Sequence, residues 1–261
     1  MTLEDLGYNT LLEDYRKNHQ LDAFAVGRVI AAHKDRYIVR NETNEYDSEL
    51  IGNLRFTAET RADFPAVGDW AAISEYDAGK ALIHAIYPRH SMITRQAARR
   101  STEVQIIASN IDYGLIVQAV DRDFNLNRLE RYLTICHSAK VTPLVVLSKT
   151  DLVDDVSLGN MKDQIVKRIG EETPVICVSN QRENGYEELR RVIEKGKTYC
   201  LLGSSGVGKS TLLNYLSGKE HMETGAISNS VNKGKHTTSH RELVVLDNGS
   251  ILIDNPGMRE V

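Results

Sequence analysis

The stretch Gly203-Ser204-Ser205-Gly206-Val207-Gly208-Lys209-Ser210 decides the fold, together with Ser148-Lys149-Thr150-Asp151, which lies upstream of it. The downstream stretch matches GxxxxGK[ST], in which backbone N–H groups surround phosphates, the Lys reaches the terminal phosphates and the Ser binds Mg²⁺. The upstream stretch resembles NKxD, the pattern that reads guanine. Because ordinary guanine-nucleotide folds carry the two patterns in the opposite order, this order predicts a circularly permuted arrangement.

Continuous apolar runs precede the motifs along the C-terminal part of the chain. These runs are Tyr113–Val117, Leu144–Leu147, Val175–Val178 and Tyr199–Leu202. Such runs are typical of parallel strands covered by helices on both faces. A predicted helix after the first run places its apolar residues on one face, and they are Leu129, Tyr132, Leu133 and Cys136. We therefore predict an α/β fold with a mostly parallel sheet whose strand carboxyl ends carry the motifs.

Residues 23–90 have the pattern of a different domain, because short strands alternate with turns there. The predicted strands are Ala25–Ile30, Tyr37–Val39, Trp70–Ile73 and Ala81–Ile86. The turn Pro65-Ala66-Val67-Gly68-Asp69 directly precedes a strand, as a barrel corner requires. These features predict a small β-barrel. The pattern alone leaves open a β-rich packing domain without a ligand.

Composition and charge limit the classes of function. The chain has 261 residues with 41% hydrophobic and 26% charged residues, and its formal net charge is -4. These values are ordinary for a two-domain globular protein and argue against a uniformly basic nucleic-acid binder. The three cysteines form no CxxC pair, so neither a disulfide framework nor a zinc cluster is expected. Without a leader or a membrane-length apolar run, we expect a cytoplasmic location and no membrane partner.

The phosphate loop is the strongest signal, since strand, Gly-rich loop and helix follow each other as the motif requires. Lys209 is predicted to reach the β- and γ-phosphates and so to take part in catalysis, and Ser210 is predicted to bind Mg²⁺. A Gly-rich turn that matches by chance is the alternative. The residues predicted to contact the nucleotide here are Gly203, Ser204, Ser205, Gly206, Val207, Gly208, Lys209, Ser210 and Thr211.

Guanine specificity is predicted from Asp151, whose carboxylate can accept from the N1–H and the exocyclic amino group of guanine but not from adenine. Lys149 would lay its aliphatic stem along the base. Ser148 replaces the usual Asn, and we expect this loss of an amide to lower affinity. Ser179, Asn180 and Gln181 follow another strand and are predicted to form a second base loop. An exposed Ser-Lys-Thr-Asp turn without a ligand is the alternative.

A third motif follows the apolar run Ile251–Ile253, where Asp254-Asn255-Pro256-Gly257 matches DxxG. Asp254 is predicted to reach Mg²⁺ through water, and the N–H of Gly257 is predicted to face the γ-phosphate. A simple β-turn is the alternative, because Asp-Asn-Pro-Gly is also a strong turn signature.

The residue that orients the attacking water is not the usual one. Many GTPases place a Gln directly after the DxxG glycine, whereas this chain has Met258, which cannot orient water. His236, in the polar segment between the phosphate loop and the third motif, is the best candidate, although such a His is often a bystander. Thr237 or Thr238 is predicted to close on Mg²⁺, and Thr238 is counted with His236 and Lys209 among the catalytic candidates.

The order SKTD, SNQ, GSSGVGKS, KHTTS and DNPG, preceded by a barrel with PAVGDW, resembles the ribosome small subunit-dependent GTPase A family (RsgA, also called YjeQ). The likeness covers nearly the whole chain. It implies an N-terminal OB-fold barrel that contacts small-subunit rRNA, a circularly permuted P-loop GTPase domain with GTP, GDP and Mg²⁺ as ligands, and hydrolysis of GTP to GDP and phosphate. It further implies that the small ribosomal subunit is the partner, and that it stimulates hydrolysis late in its own maturation.

The resemblance also implies a domain plan. We expect an N-terminal segment at 1–22, the OB-fold barrel at 23–90, a linker at 91–104 and the permuted GTPase domain at 105–261. The family carries a C-terminal zinc-binding domain, and we expect that domain and its zinc ligands to be absent from this chain. We expect a monomer.

Two other function classes stay open: a P-loop ATPase with a coincidental SKTD, and a nucleotide-sensing RNA-binding module with negligible turnover. Intrinsic hydrolysis should be slow, because no Gln follows Gly257 and no arginine finger is evident. A basic run between the predicted barrel and the α/β domain is a candidate RNA contact, with a solvated surface as its alternative. Its members are Arg89, His90, Arg95, Arg99 and Arg100.

Overall fold

The computed structural model describes residues 1–96, 104–182, 185–218 and 242–254. Within these ranges the strands are β1 (Ala25–Ala32), β2 (Tyr37–Arg40), β3 (Glu45–Leu50), β4 (Trp70–Asp77), β5 (Lys80–Ile86), β6 (Met92–Gln96), β7 (Val104–Ser109), β8 (Tyr113–Ala119), β9 (Thr142–Ser148), β10 (Val175–Cys177), β11 (Thr198–Leu202), β12 (Glu242–Val245) and β13 (Ile251–Asp254). The helices are α1 (Thr10–Asn18), α2 (Gly52–Thr57), α3 (Leu126–Ser138), α4 (Asp155–Ile169), α5 (Glu187–Val192) and α6 (Lys209–Ser217).

The first five strands close into a barrel. Each strand is hydrogen-bonded to the next in the order β1-β2-β3-β5-β4, and β4 returns to pair with β1. Alternate residues point inward and form a core of Val29, Tyr37, Val39, Tyr46, Ala71, Ile73, Ala81 and Ile83. Helix α2 lies between β3 and β4 in the chain. The OB-fold barrel predicted from the sequence is confirmed.

The α/β core has the sheet order β10-β9-β8-β11-β13-β12. Its strands run parallel from β10 to β13, and β12 is antiparallel to β13. Strands β8, β9 and β11 are buried along nearly their whole length, as their apolar runs predict. Helix α3 buries the four residues predicted to share its inner face. The mostly parallel sheet is therefore confirmed.

The barrel and the core belong to one continuous sheet of eleven strands. The connection is an antiparallel pairing of β1 with β12, in which Ala31 faces Glu242. Strand β12 thus lies between the nucleotide-binding part of the predicted fold and the barrel.

A buried arginine joins three parts of the chain at this junction. Arg28 of β1 has a side chain that is 1% exposed and lies 5.4 Å from the centre of the Trp70 ring. Its guanidinium donates to the carbonyl oxygens of Leu6 (2.5 Å) and Gly68 (3.1 Å). It also donates to the α/β core, at the Asn110 carbonyl and the Thr198 hydroxyl, both at 3.0 Å. Burial lowers the pKa of Arg28 to about 10, which leaves the cation charged at neutral pH.

Asp69 forms a second buried contact between barrel and core. Its carboxylate accepts from Arg89 at Nε (2.7 Å) and Nη2 (2.6 Å), from the Ser109 hydroxyl (2.5 Å) and from the backbone N–H of Ala66 (2.8 Å). Arg89 therefore has an internal partner and a side chain that is only 15% exposed. This finding corrects its assignment to the candidate RNA contact. Arg99 and Arg100 lie outside the described residues.

One segment differs from its sequence-based interpretation. The range 91–104 is predicted to be a linker, whereas β6 occupies most of its first half and pairs with β7 as a hairpin. Strand β6 lacks a long apolar run, so its pairing is set by β7 and by the core beneath. The N-terminal segment packs on the barrel through Leu6, which is fully buried beside Trp70 and Tyr87.

Two further observations concern membranes and metals. Across the residues that the structure describes, no helix is both long and apolar enough to cross a bilayer. The same residues contain no group of three or more His, Cys, Asp or Glu side chains that could hold a metal ion.

Candidate functional site

The phosphate loop connects β11 to α6 and is shaped by three glycines. Gly203, Gly206 and Gly208 have φ values of 147°, 82° and 93°, a region that disfavours other residues. A Cβ on Gly203 would lie 2.5 Å from the carbonyl oxygen of Val117, so only glycine lets the loop leave the sheet here. Positive φ values at these glycines are compatible with an anion-binding nest, in which successive N–H groups point toward one side.

Helix α6 begins at Lys209, as predicted, with Gly208 as its N-cap. Lys209, Ser210 and Thr211 are its first three residues, and the N-terminus of a helix favours anions. The ammonium of Lys209 donates to the carbonyl oxygens of Gly203 (2.6 Å) and Ser204 (2.5 Å) and so lies across the loop. The loop therefore holds its cation close to its own backbone.

The predicted base loop follows β9 and is fixed against the phosphate loop. The hydroxyl of Ser148 donates to the carbonyl of Val207 at 2.6 Å, and Ser148 is 6% exposed. Sequence reasoning expected Ser148 to lose the link that an Asn side chain makes to the phosphate loop. The structure shows such a link, made by the hydroxyl, because a shorter side chain suffices at this separation.

Asp151 and the second predicted base loop are joined by a hydrogen bond. The Ser179 hydroxyl donates to Oδ1 of Asp151 and accepts from the backbone N–H of Gln181 at 3.1 Å. The Thr150 hydroxyl donates to the Val178 carbonyl at 3.2 Å, which attaches the first base loop to the end of the neighbouring strand. Within the described residues, Ser179 is the side chain that donates to the Asp151 carboxylate, and a carboxylate can accept further hydrogen bonds, as a guanine contact requires.

These loops line a cavity of about 230 Å³. Seven residues predicted from the sequence line it: Ser148, Lys149, Asp151, Asn180, Gln181, Gly208 and Thr211. The two base loops and the start of the phosphate helix therefore meet in one place, although the first base loop lies about sixty residues before that helix in the chain and the second about thirty. Five other lining residues were not predicted: Val117, Leu152, Val178, Tyr186 and Leu212.

Tyr186 is the largest of the missed residues and forms a rigid wall. It is 5% exposed and its ring stacks on Tyr215 of α6 at a centroid distance of 4.0 Å. The guanidinium of Arg190 lies 4.6 Å from the Tyr215 ring on the same stack. Burial raises the pKa of Tyr186, so its hydroxyl remains protonated at neutral pH. No motif marks this tyrosine, because stacking depends on the packing of α6 against the second base loop.

Asp121 is a charged residue beside the cavity that the motifs do not include. Its Oδ2 lies 2.9 Å from the Lys149 ammonium, and its Oδ1 accepts from the N–H of Asp123 at 3.0 Å. Burial opposes its ionisation, but the hydrogen bonds from Lys149 and Asp123 outweigh burial and lower the pKa of Asp121. The position directly after β8, at the carboxyl end of a strand, was the signal that could have revealed it.

The third motif begins at the same edge of the sheet. Strand β13 runs parallel to β11, so Asp254 leaves the sheet beside the start of the phosphate loop. Only the backbone of Asp254 is described. His236, Thr237, Thr238 and Gly257, predicted to act in catalysis, metal binding and phosphate contact, lie outside the described residues.

Comparison with known proteins gives a family and close relatives. A family model described as RsgA GTPase matches residues 86–261. The small ribosomal subunit biogenesis GTPase RsgA of Opitutus terrae is 39% identical over 270 residues, covering 100% of this chain and 73% of the relative. The protein named RsgA 2 from Lactiplantibacillus plantarum is 41% identical over 236 residues, covering 90% of this chain and 66% of the relative.

Two solved structures share the fold. YjeQ from Thermotoga maritima superposes with a TM-score of 0.68 at 23% identity, covering 90% of this chain and 76% of that one. YloQ, described as a circularly permuted GTPase, superposes with a TM-score of 0.64 at 22% identity, covering 93% and 74%. The permuted fold expected from the motif order is thus confirmed. With the family model matching residues 86–261, this chain belongs to the RsgA GTPase family.

Proposed function

We propose that this chain binds GTP and GDP in the cavity between its base loops and its phosphate loop, and hydrolyses GTP to GDP and phosphate. The observation that carries the proposal is the hydrogen bond of 2.6 Å from Ser148 to Val207, which joins the two loops at one cavity. A base and a phosphate tail of one nucleotide can be held at once only where such loops meet. Membership of a GTPase family supports the same conclusion.

Guanine would be selected by Asp151. Its Oδ1 already accepts from Ser179, which restrains the carboxylate of this cavity-lining residue. Guanine offers two donors to a carboxylate, whereas adenine offers an unprotonated N1, and an unmatched buried polar contact of this kind disfavours binding strongly. Tyr186 and the stem of Lys149 would enclose the base from the sides.

The phosphates would lie on the nest of the phosphate loop and the first turn of α6. Lys209 would exchange its two carbonyl contacts for phosphate oxygens. Ser210 and Asp254 fit a magnesium site, because a hydroxyl and a carboxylate at this edge of the sheet are oxygen donors of the kind Mg²⁺ prefers. Bound there, Mg²⁺ would neutralise charge on the phosphates. Thr237, Thr238, Gly257 and His236 remain proposed contributors to metal binding, phosphate contact and water orientation.

The partner is proposed to be the small ribosomal subunit and its rRNA. The relatives from Opitutus terrae and Lactiplantibacillus plantarum are named small ribosomal subunit biogenesis GTPases. We propose that this chain acts in the same process, in the cytoplasm and as a monomer, with hydrolysis stimulated by the subunit. We further propose that residues 23–90 and 105–261 act as separate domains, with the barrel as the rRNA contact.

A combined binding and turnover experiment tests the proposal. Calorimetric titration with GDP and ADP should give tight binding of GDP only, and small ribosomal subunits should raise the rate of GTP hydrolysis. Equal affinity for ADP would favour the P-loop ATPase. Binding of GDP and of subunits without turnover would favour the nucleotide-sensing RNA-binding module. Lys209→Ala is the control for phosphate-loop binding, since it removes the cation and should nearly abolish affinity.

A further inference from the structure

The ion pair between Asp121 and Lys149 lies beside the cavity and is less exposed than most ion pairs of the described residues. The side chains are 24% and 31% exposed, whereas Arg168 and Glu130, for example, are 50% and 40% exposed in theirs. Lys149 lines the cavity, and Asp121 lies behind it with its other oxygen held by the Asp123 N–H. The hydrogen bond from Asp123 therefore restrains the Asp121 carboxylate independently of its contact with the Lys149 ammonium.

The segment that carries Asp121 is itself braced. Gln118 is 2% exposed, and its side-chain amide donates to the Asn125 carbonyl at 2.8 Å and accepts from the Asn125 N–H at 3.3 Å. The Phe124 N–H donates to the Asp121 carbonyl at 2.9 Å. Asn125 in turn caps α3 by accepting from the Arg128 N–H. These contacts make the 121–125 turn a rigid support.

Lys149 is fixed at its backbone but not along its stem. Its φ of 58° lies in the left-handed region, and its neighbours Ser148 and Thr150 are tied to Val207 and Val178. The four-carbon side chain would otherwise sample many rotamers, and ordering such a chain when a ligand binds costs free energy. Asp121 holds the far end of that chain, so the stem lies in one position beside the cavity.

We propose that Asp121 is a positioning residue for guanine nucleotide, acting through Lys149, whose stem it holds in place as one wall of the base cavity. This inference rests on the proposed function of the same cavity. Asp121 itself does not line the cavity, so its effect on nucleotide requires the lysine. Preorganisation of this kind raises affinity without adding a contact to the ligand.

The test is a double-mutant cycle on GDP affinity, measured by calorimetry. Asp121→Asn and Lys149→Met should each weaken GDP binding about tenfold, because each removes one end of a charge-assisted hydrogen bond. The double variant should bind no more weakly than either single variant, since both changes remove the same interaction. Glu130→Gln removes the carboxylate of an exposed pair on α3 and is the matched control, with no expected change in GDP affinity.

Each outcome decides the role. A loss of about a hundredfold in the double variant would show that the residues act independently and would overturn the proposal. Unchanged GDP affinity in a folded Asp121→Asn variant would also overturn the proposal. If Asp121→Asn fails to fold, Asp121→Glu keeps the charge. A GDP affinity of Asp121→Glu that lies between the affinities of the unchanged chain and of Lys149→Met then supports the proposal. A GDP affinity of Asp121→Glu equal to or below that of Lys149→Met refutes it. Failure of the unchanged chain to bind GDP would instead overturn the proposed function as well.

Discussion

Asp69→Asn is expected to destabilise the junction between barrel and core more than any exposed charge change. Asp69 is fully buried and accepts four hydrogen bonds, two of them from Arg89. An asparagine of the same shape loses the negative charge and turns an amide N–H₂ toward at least one of these donors. The Arg89 cation would then be left without its counter-charge at a position where its side chain is only 15% exposed.

The size of the loss in unfolding free energy depends on the hydrogen bonds that Arg89 keeps in the variant. Removing one partner of a buried ion pair costs about 3–5 kcal/mol of unfolding free energy. Arg89 would keep its bonds to the carbonyls of Ala62 (2.6 Å) and Phe64 (2.8 Å), so the lower end of that range applies. With a urea dependence of roughly 3 kcal/mol per molar for a chain of this size, a loss of about 3 kcal/mol lowers the urea midpoint by about 1 M.

The assay uses the single tryptophan of the chain. Trp70 directly follows Asp69 and is 1% exposed, so its fluorescence reports loss of structure at this junction during urea unfolding. Glu130→Gln makes the same carboxylate-to-amide change in an exposed ion pair with Arg168, and its midpoint should stay near that of the unchanged chain. If the two variants unfold at the same urea concentration, Asp69 does not hold barrel and core together and the reasoning is wrong.

Three further predictions concern the nucleotide cavity and its surroundings. Ser148→Ala removes the hydroxyl that bridges the base loop and the phosphate loop, and it should weaken GDP binding about tenfold by calorimetry. Unchanged affinity would show that the bridge is dispensable. Gly203→Ala should lower the thermal midpoint more than Gly206→Ala, since a Cβ at 203 meets a strand carbonyl whereas one at 206 meets nothing within 4 Å; equal midpoints would contradict this. Burial raises the pKa of the Cys136 thiol to about 12, so iodoacetamide at pH 8 should leave Cys136 unmodified in the folded chain. The half-buried Cys177 should be the first cysteine found labelled by mass spectrometry. Early labelling of Cys136 would refute its burial.

The sequence predicted the fold well where a pattern is local. The runs that became β8, β9 and β11 are apolar throughout, because both faces of each strand are covered, and this property can be read without knowing their neighbours. Strand β3 was missed because Glu45–Leu50 carries polar residues at most of its positions. Strand β6 was missed for a related reason, since its partner in the hairpin and not its own composition determines it.

The candidate site shows the same division. Motif spacing located Ser148, Asp151 and Gly208, since each lies directly at the end of a strand or the start of a helix. Tyr186 and Asp121 were not predicted, because their roles depend on neighbouring side chains. Tyr186 packs on the ring of Tyr215, and Asp121 contacts the ammonium of Lys149. Arg89 was misread for the opposite reason, since its charge was visible in the sequence but its buried partner was not.

The structure also explains why the altered chain order does not disturb this cavity. Strands β9, β8, β11 and β13 are parallel neighbours, so every loop that follows one of them emerges at the same edge, whichever strand comes first in the chain. What must be kept is the contact between loops, and Ser148 makes it by donating to Val207 across 59 residues of sequence. Because that bond spans two loops held by adjacent parts of one sheet, it depends on strand order in space and not on connectivity. The cavity can therefore keep its geometry in the permuted order, while Arg28 and Asp69 fasten the barrel to the core.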